Sequence, residues 1–408
     1  MIWLYWVSGV LLALIWLATV LPLAWHISEI ADLTQPEQQA PKDAALPPLT
    51  IVVPARNEEA EIEPALRSLL QLDYPNYEVV AVDDRSTDQT GQIMDRLAAE
   101  PAAQDRLRVI HVQELPAGWL GKLHAMWLGS LRNSSQRNST LKNDTLRNAA
   151  QQGSCEWLLF TDADCVFHPE SLRRAVHYAI KTRADHLVLF PTAHMKTLGE
   201  RMLISFPQVM SSFAMRPWKV RDPKARDHIG VGAFNLIRRS AYEAIGTYEK
   251  LRLEVVDDIK LGEAIKRAGL RQDVVCGPGL VSLRWGAGAA GIIGNLEKNL
   301  FAFLRFRISL VVACCALTFF LCVWPFVGLV LATGWARAAF AAAVAMIALA
   351  YSLTARYAAG SVWLFLACPF SAILFIVAVL RSAFKTLRDG AVTWRGTRYE
   401  LAELKKKP

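Results

Sequence analysis

Four stretches without a charged side chain set the first limit on this fold: Met1 to Trp25, Ile308 to Trp335, Ala338 to Ala355 and Tyr357 to Leu380. A helix needs roughly 18 to 20 apolar residues to cross the hydrocarbon of a bilayer. Each stretch is near or above that length. Buried core helices can be equally apolar, but four such stretches gathered at the two ends of one chain favour a membrane. The first lacks the basic start of a cleaved signal peptide, and its apolar run exceeds the usual h-region of about 7 to 15 residues. It reads as an uncleaved anchor over residues 1–25. The chain has 408 residues, so the stretch between the two ends is long enough to bury a core of its own.

Cysteine usage and charge narrow the compartment. Of seven cysteines, Cys314, Cys315, Cys322 and Cys368 fall inside apolar stretches, while Cys155, Cys165 and Cys276 are scattered without metal-ligand spacing. No disulfide framework is implied, which suits a reducing cytoplasm. The formal net charge is +8. In a chain with membrane segments, that excess points to anionic lipid headgroups before nucleic acid, and no nucleic-acid partner is expected.

The middle of the chain alternates two patterns. Residues 26–48, rich in Pro, Gln and Ala from Thr34 onward, read as a linker. Leu49 to Pro54, Tyr77 to Val82, Leu107 to Val112 and Trp157 to Phe160 read as buried strands. Between the first two lies an amphipathic helix with Ile62, Leu66, Leu69 and Leu70 on one face. Such alternation indicates a mostly parallel α/β sheet, in which ligands bind beyond the carboxyl ends of the strands. Asp84 and Asp164 both fall at such ends. In Thr161-Asp-Ala-Asp164 the two acids alternate along an extended chain, so they share one face. They repel unless a cation lies between them, and Mg²⁺ or Mn²⁺ is commonly shared between carboxylates and substrate phosphates. A solvated Asp-rich turn is the plainer reading of the motif alone. Further on, Asp257-Asp258 opens a helix, where acids also serve as caps. Residues 132–152, polar and without periodicity, read as a surface insertion. Leu203 to Trp218 is amphipathic and suits either a membrane surface or ordinary packing.

Four motifs in order carry a resemblance. Val53-Pro-Ala-Arg-Asn-Glu58 follows the first strand, and Val82-Asp-Asp-Arg-Ser-Thr-Asp88 follows the second. Thr161-Asp-Ala-Asp164 follows the fourth, and Val256-Asp-Asp-Ile-Lys-Leu261 comes later. The set resembles the family 2 glycosyltransferases, of GT-A fold, over roughly residues 48–284. The anchor, the apolar end and the late Thr393-Trp-Arg-Gly-Thr-Arg-Tyr399 are similar to lipid-directed members: the hopene-associated, carotenoid and ceramide groups. The resemblance implies that Asp84 hydrogen-bonds the base of a nucleotide, with Pro54, Ala55 and Glu58 lining the nucleoside pocket. It implies that Asp162 meets the ribose or diphosphate, that Asp164 ligates the metal, and that Lys122 lies near the donor sugar or phosphates. Asp258 matches the general base, with Asp257 where Glu is commoner. Arg284, Trp285, Trp394 and Arg395 are placed on the acceptor or phosphate side. The Gln/Arg-x-x-Arg-Trp motif of processive and ceramide-type relatives is missing after the base, which argues against polymer synthesis and against ceramide.

The expected layout is an anchor (1–25), a linker (26–48), a GT-A domain (49–285), an interfacial segment (286–307), transmembrane or re-entrant helices (308–380) and a basic tail (381–408). The expected activity is inverting, metal-dependent transfer of a sugar from a nucleotide-diphosphate sugar to a lipid acceptor, on the cytoplasmic face of the cell (inner) membrane. A nucleotidyltransferase, or a non-catalytic membrane protein that binds nucleotide sugars, are the alternatives. One conflict stays open. Three spans after a cytoplasmic domain leave the tail outside, yet Arg381, Lys385, Arg388, Arg395, Arg398 and Lys405 to Lys407 want it inside. A re-entrant or interfacial stretch would reconcile them: Tyr357 to Leu380, with Pro369 in its middle, is the first candidate and the short Ala338 to Ala355 the second.

Overall fold

The computed structural model describes residues 2–41, 44–103, 105–131, 156–358 and 360–405; the insertion expected at 132–152 lies outside them. The chain forms two compact units. One comprises Ala31–Thr192 and Lys219–Leu283, the other Met1–Ile30, Ala193–Trp218 and Arg284–Pro408.

The first unit is built on an eight-stranded sheet. Its strands in chain order are β1 (Ala31–Asp32), β2 (Leu49–Ala55), β3 (Tyr77–Asp84), β4 (Leu107–Val112), β5 (Trp157–Phe160), β6 (His186–Phe190), β7 (Asn235–Arg238) and β8 (Gln272–Cys276). In space they run β1-β8-β6-β7-β5-β2-β3-β4. The pairs β1–β8, β8–β6, β5–β2, β2–β3 and β3–β4 are parallel, whereas β7 runs against both its neighbours. This is the mostly parallel α/β arrangement that the resemblance implies. Sheets covered on both faces need strands apolar on both faces, and β3 shows why Val79-Val-Ala-Val82 is unbroken. Val79 and Ala81 face a core with Ile51, Leu66, Leu69 and Met94, while Val80 and Val82 face Val112 and Ala125. The stretch read as a linker is partly structural. Ala31 pairs with Val275, the buried Leu33 donates its N–H to the Cys276 carbonyl at 2.8 Å, and the sheet therefore begins before Leu49.

Among the described residues four helices, all in the second unit, are long and apolar enough to cross a membrane: Trp3–Glu29, Ile308–Leu331, Gly334–Ala355 and Val362–Asp389. The third packs through Ala336, Phe340, Ala343, Ile347 and Ala350, all buried. Their alternating spacing of four and three is that of a coiled-coil seam, and the small residues let Leu12, Trp16 and Val20 of the N-terminal helix come close. A π-helical turn at Phe319–Val323 disturbs the backbone ladder of the second. The Trp16 indole N–H donates to the Leu321 carbonyl there at 3.0 Å, which pairs both of these polar groups inside an apolar cluster.

The last of the four is broken near its start, where Val362–Ala367 form a 3₁₀ turn. Its α-helical part begins at Cys368 with Pro369 in its first turn, where proline costs no hydrogen bond. Cys368 packs in one cluster with Cys322, in the middle of the Ile308–Leu331 helix. Val379 and Ala383 pack instead with Phe301 and Val311, where that helix begins. Phe301 donates its N–H to Ser382 Oγ at 3.0 Å, and Arg381 pairs with Glu297 at 2.6 Å. A hairpin follows, Ala391–Trp394 with Thr397–Glu400, turned by Arg395 and Gly396 at φ of 46° and 78°. Its Trp394 ring lies under the Lys298 ammonium at 4.6 Å. The tail thus returns to the end of this unit at which Ile308 enters the bundle.

Candidate active site

Every residue of the site lies in the α/β unit, at or beyond strand ends. Pro54 and Ala55 close β2, and Asp84 closes β3. The loops that follow are laced together. Asn57 Oδ1 accepts the Thr87 N–H at 2.8 Å, and the Glu58 and Glu59 N–H groups go to Thr90 Oγ1 and Asp88 Oδ2 at 2.8 and 3.2 Å. Asn57 and Arg85 hold φ of 54° and 56°, a conformation costly for residues with a Cβ and kept where surrounding contacts over-determine it. Asp84 is buried between two guanidinium groups: Arg85 donates to both its oxygens at 2.8 and 3.2 Å, and Arg56 approaches at 3.7 Å.

The acids of the other motifs meet at Lys122, in the first turn of the Gly121–Ser130 helix. Its Nζ is 2.7 Å from Asp162 Oδ1, beyond β5, and 3.5 Å from Asp257 Oδ2, in the first turn of the Asp257–Arg267 helix. Burial works against the ammonium, but Asp162, Asp257 and Asp258 outweigh it and hold the lysine charged well above its ordinary range. Asp164 has no such cation beside it. Burial, then the charges of Asp162 and Glu58, push its carboxyl up to about 6. Asp258 is half-buried beside the buried Asp257. Its Oδ2 accepts the Gly232 N–H at 3.1 Å and its Oδ1 the Ile259 N–H at 2.8 Å. Burial and the neighbouring Asp257 push it up to about 7 against the pull of Lys122. Such a carboxyl can exchange a proton near neutrality.

Nine of the expected residues thus fall in the α/β unit, at the strand ends and in the loops just described. The other four belong to the second unit. Arg284 Nη2 pairs at 2.8 Å with Glu200, whose buried carboxylate also accepts the N–H groups of Gly288, Lys196 and Thr197. Those bonds hold Glu200 down at about 2. Trp285 packs against Leu203 and Ile292, Trp394 lies under Lys298, and Arg395 sits in the hairpin turn. The sequence reading passed over Arg56, Arg85 and the Ile229-Gly-Val-Gly232 segment. The arginines stood inside motifs read only for their acids, and glycines carry no chemistry to flag them. Yet Gly232 donates to Asp258 while its carbonyl accepts the Asp162 N–H at 3.1 Å. A Cβ on Gly230 would run into the Asp258 carbonyl, and one on Gly232 into the Asp162 carboxylate.

The donor set suits a hard cation. Among the described residues no three His, Cys, Asp or Glu side chains converge on one point. Asp164 is a half-buried acid beside other acids and, among the described residues, pairs with no ammonium or guanidinium group, the setting in which Mg²⁺ or Mn²⁺ is held by a carboxylate and completed by substrate phosphates.

Residues 47–278 match the family described as glycosyltransferase-like family 2. The chain is similar to 4,4'-diaponeurosporenoate glycosyltransferase of Staphylococcus aureus, 23% identical over 363 residues that cover 87% of this chain and 89% of that one. The Staphylococcus haemolyticus protein of the same name is 23% identical over 264 residues, 62% and 60% of the two chains. Among solved structures, a mannosyltransferase from Pyrobaculum calidifontis in complex with GDP-Man and Mn²⁺ aligns with TM-score 0.49 and 20% identity, covering 94% of this chain and 99% of that one. S. aureus TarS 1-349 in complex with UDP-GlcNAc aligns with TM-score 0.37 and 14% identity over 86% and 99%.

Proposed function

The chain belongs to glycosyltransferase-like family 2, and from that premise we propose that it moves a hexose from a nucleotide-diphosphate sugar to a lipid acceptor with inversion, using Mg²⁺ or Mn²⁺. The acceptor is taken as a carotenoid-type lipid after the relatives named for 4,4'-diaponeurosporenoate, but as one that offers a hydroxyl rather than the carboxylate in that name. The observation that carries the reading is the convergence on Lys122 of the Asp-x-Asp loop and the Asp257–Asp258 helix.

Asp84, with Arg56 and Arg85 beside it, takes the base of the nucleotide; Pro54, Ala55 and Glu58 line that pocket. Asp162 meets the ribose or diphosphate, and Lys122 the phosphates, where its charge is already held. Asp164 would hold the cation, which supplies Lewis-acid neutralisation of the diphosphate leaving group. Asp258 takes the proton of the acceptor hydroxyl as that oxygen bonds to the anomeric carbon. The bond from that carbon to the diphosphate breaks on the opposite face. One displacement inverts the centre and needs no carboxylate nucleophile, unlike retaining transfer through a glycosyl-enzyme.

A base raised to about 7 sets the pH dependence. Protonated Asp258 cannot accept the proton, so activity is lost as pH falls through that value. Initial rates of transfer to a lipid extract, measured from about pH 5 to about 9, are expected to drop close to tenfold per unit below about 7. An acid limb near 4, the ordinary carboxylate range, would exclude Asp258 as the titrating base.

The catalytic unit is placed in the cytoplasm, and the helical unit with its basic tail on that side. Val362–Ala367 and the helix from Cys368 then form a re-entrant pair that rises to the depth of Cys322 and returns, as the charge of the tail requires. A single cysteine beside Arg398, in a cysteine-depleted chain, is expected to be shielded from impermeant thiol reagents in intact cells. Ready labelling from outside would establish a fourth crossing instead.

A further inference from the structure

Gly232 holds the proposed base with its N–H and the Asp-x-Asp loop with its carbonyl, so the position of one short segment fixes both. That segment is itself clasped from below by a closed set of buried polar side chains. The Gln272 amide takes both main-chain groups of Ile229: Oε1 accepts its N–H at 3.1 Å, and Nε2 donates to its carbonyl at 2.9 Å. Asn235 Nδ2 donates to the Val231 carbonyl at 2.7 Å. His186 joins the two, with Nδ1 2.6 Å from Gln272 Nε2 and Nε2 3.2 Å from Asn235 Oδ1. The orientations of both amides are set by their main-chain partners. His186 therefore accepts at Nδ1 and donates at Nε2, a single neutral tautomer. All three side chains are buried, His186 completely. They start β8, β6 and β7, with Gln272 in register beside His186.

A relay of this kind is more than the backbone needs. Its strands are already paired, and an aliphatic residue at Gln272 would fill the space. What it adds is a fixed place for Ile229 and Val231, on either side of Gly230 and next to Gly232. The structure assigns to Gln272, His186 and Asn235 a positioning role: they pin the Ile229–Gly232 segment so that Gly232 aims Asp258 at the acceptor. This rests on the reading of Asp258 as the base. The three residues touch no reacting atom; they act through the segment.

The test uses the full-length protein, with UDP-glucose and GDP-mannose as donor probes, Mn²⁺ and a total lipid extract. Gln272→Leu removes both arms of the clasp at similar volume. Hydrogen exchange of the peptide containing Ile229 to Asn235 is expected to quicken while the sheet core stays protected. Single-turnover transfer is expected to fall about 10- to 100-fold, the scale of a small misplacement of a reacting group. In an Asp258→Asn background the same change should cost less than about threefold, because residues that act as one unit are not additive. Equal losses in both backgrounds, or unchanged exchange, would overturn the assignment and leave a packing role. Asn235→Ala, which removes the side-chain bond to the Val231 carbonyl and the acceptor for His186 Nε2, is read in the same way if the first variant does not fold; unfolding of both also overturns it. A wild-type protein that transfers from neither donor would instead overturn the base reading, while the exchange data would still report whether the segment is pinned.

Discussion

Asp258→Asn is expected to lower single-turnover sugar transfer by on the order of 10² to 10⁴, the usual contribution of a positioned base, while donor affinity and melting temperature stay near wild type. The geometry makes the separation clean. Asp258 accepts the Gly232 N–H on Oδ2 and the Ile259 N–H on Oδ1; the single amide oxygen of Asn keeps one of these bonds, and the relief of charge offsets the other. Asn also serves a helix N-terminus about as well as Asp. What Asn cannot do is take a proton. Removing the charge also relieves the repulsion from Asp257 and the burial that raise this group, so stability should not suffer. The assignment is a commitment to a hydroxyl acceptor, since a carboxylate would arrive already ionised. Near-normal transfer by a well-folded variant would remove Asp258 as base and make Asp257 the next residue to test.

The second large effect belongs to Asp164. Asp164→Ala is expected to weaken Mn²⁺-dependent binding of UDP- or GDP-sugars by about 100-fold or more, since even the outer partners of metal ligands are worth 10- to 100-fold. In excess EDTA the variant and the wild type should bind equally weakly, through Lys122 and the nucleoside pocket. A wild-type affinity indifferent to EDTA would sink the metal assignment. Stability should move the other way. The folded pKa of Asp164 lies above its unfolded value, so its ionised form works against folding above about pH 6. The alanine variant is expected to melt higher at about pH 8, and its advantage should fade as pH falls from about 6 towards 4. A lower melting point at both ends would mean that Asp164 is held for structure.

The legible parts of the sequence were those whose physics is local. Val79 to Val82 announces a strand covered on both faces, whereas the extended chain expected at Asp162 and Asp164 is not kept: the strand ends at Phe160 and Ala163–Asp164 turn. Asp257 and Asp258 were legible as a pair, and the structure adds that Val256 occupies the cap position, so the acids are not needed there as the cap. The rest depends on partners far along the chain. Nothing in Asn235-Leu-Ile-Arg238 distinguishes an antiparallel strand from its parallel neighbours. Glu200 lies 84 residues from Arg284, the guanidinium it engages, so Arg284 could be read only as an available cation. The basic tail poses a different problem: its charge and the apolar length of the helix before it point to opposite sides of a membrane, and the thiol-labelling experiment decides between them.

The two-residue strand Ala31–Asp32 has a practical side. Hydropathy invites a soluble version of the catalytic unit cut at Leu49, where the unbroken apolar strands begin. Such a chain would lack the residues that cap the far edge of the sheet. Val275 and Cys276 would lose their parallel neighbour, Cys276 would keep a carbonyl that Leu33 now covers, and Arg174 would lose the Leu33 carbonyl it meets at 2.8 Å. A bared edge recruits other chains. An N-terminal cut that keeps this sheet edge covered lies between Glu29 and Ala31.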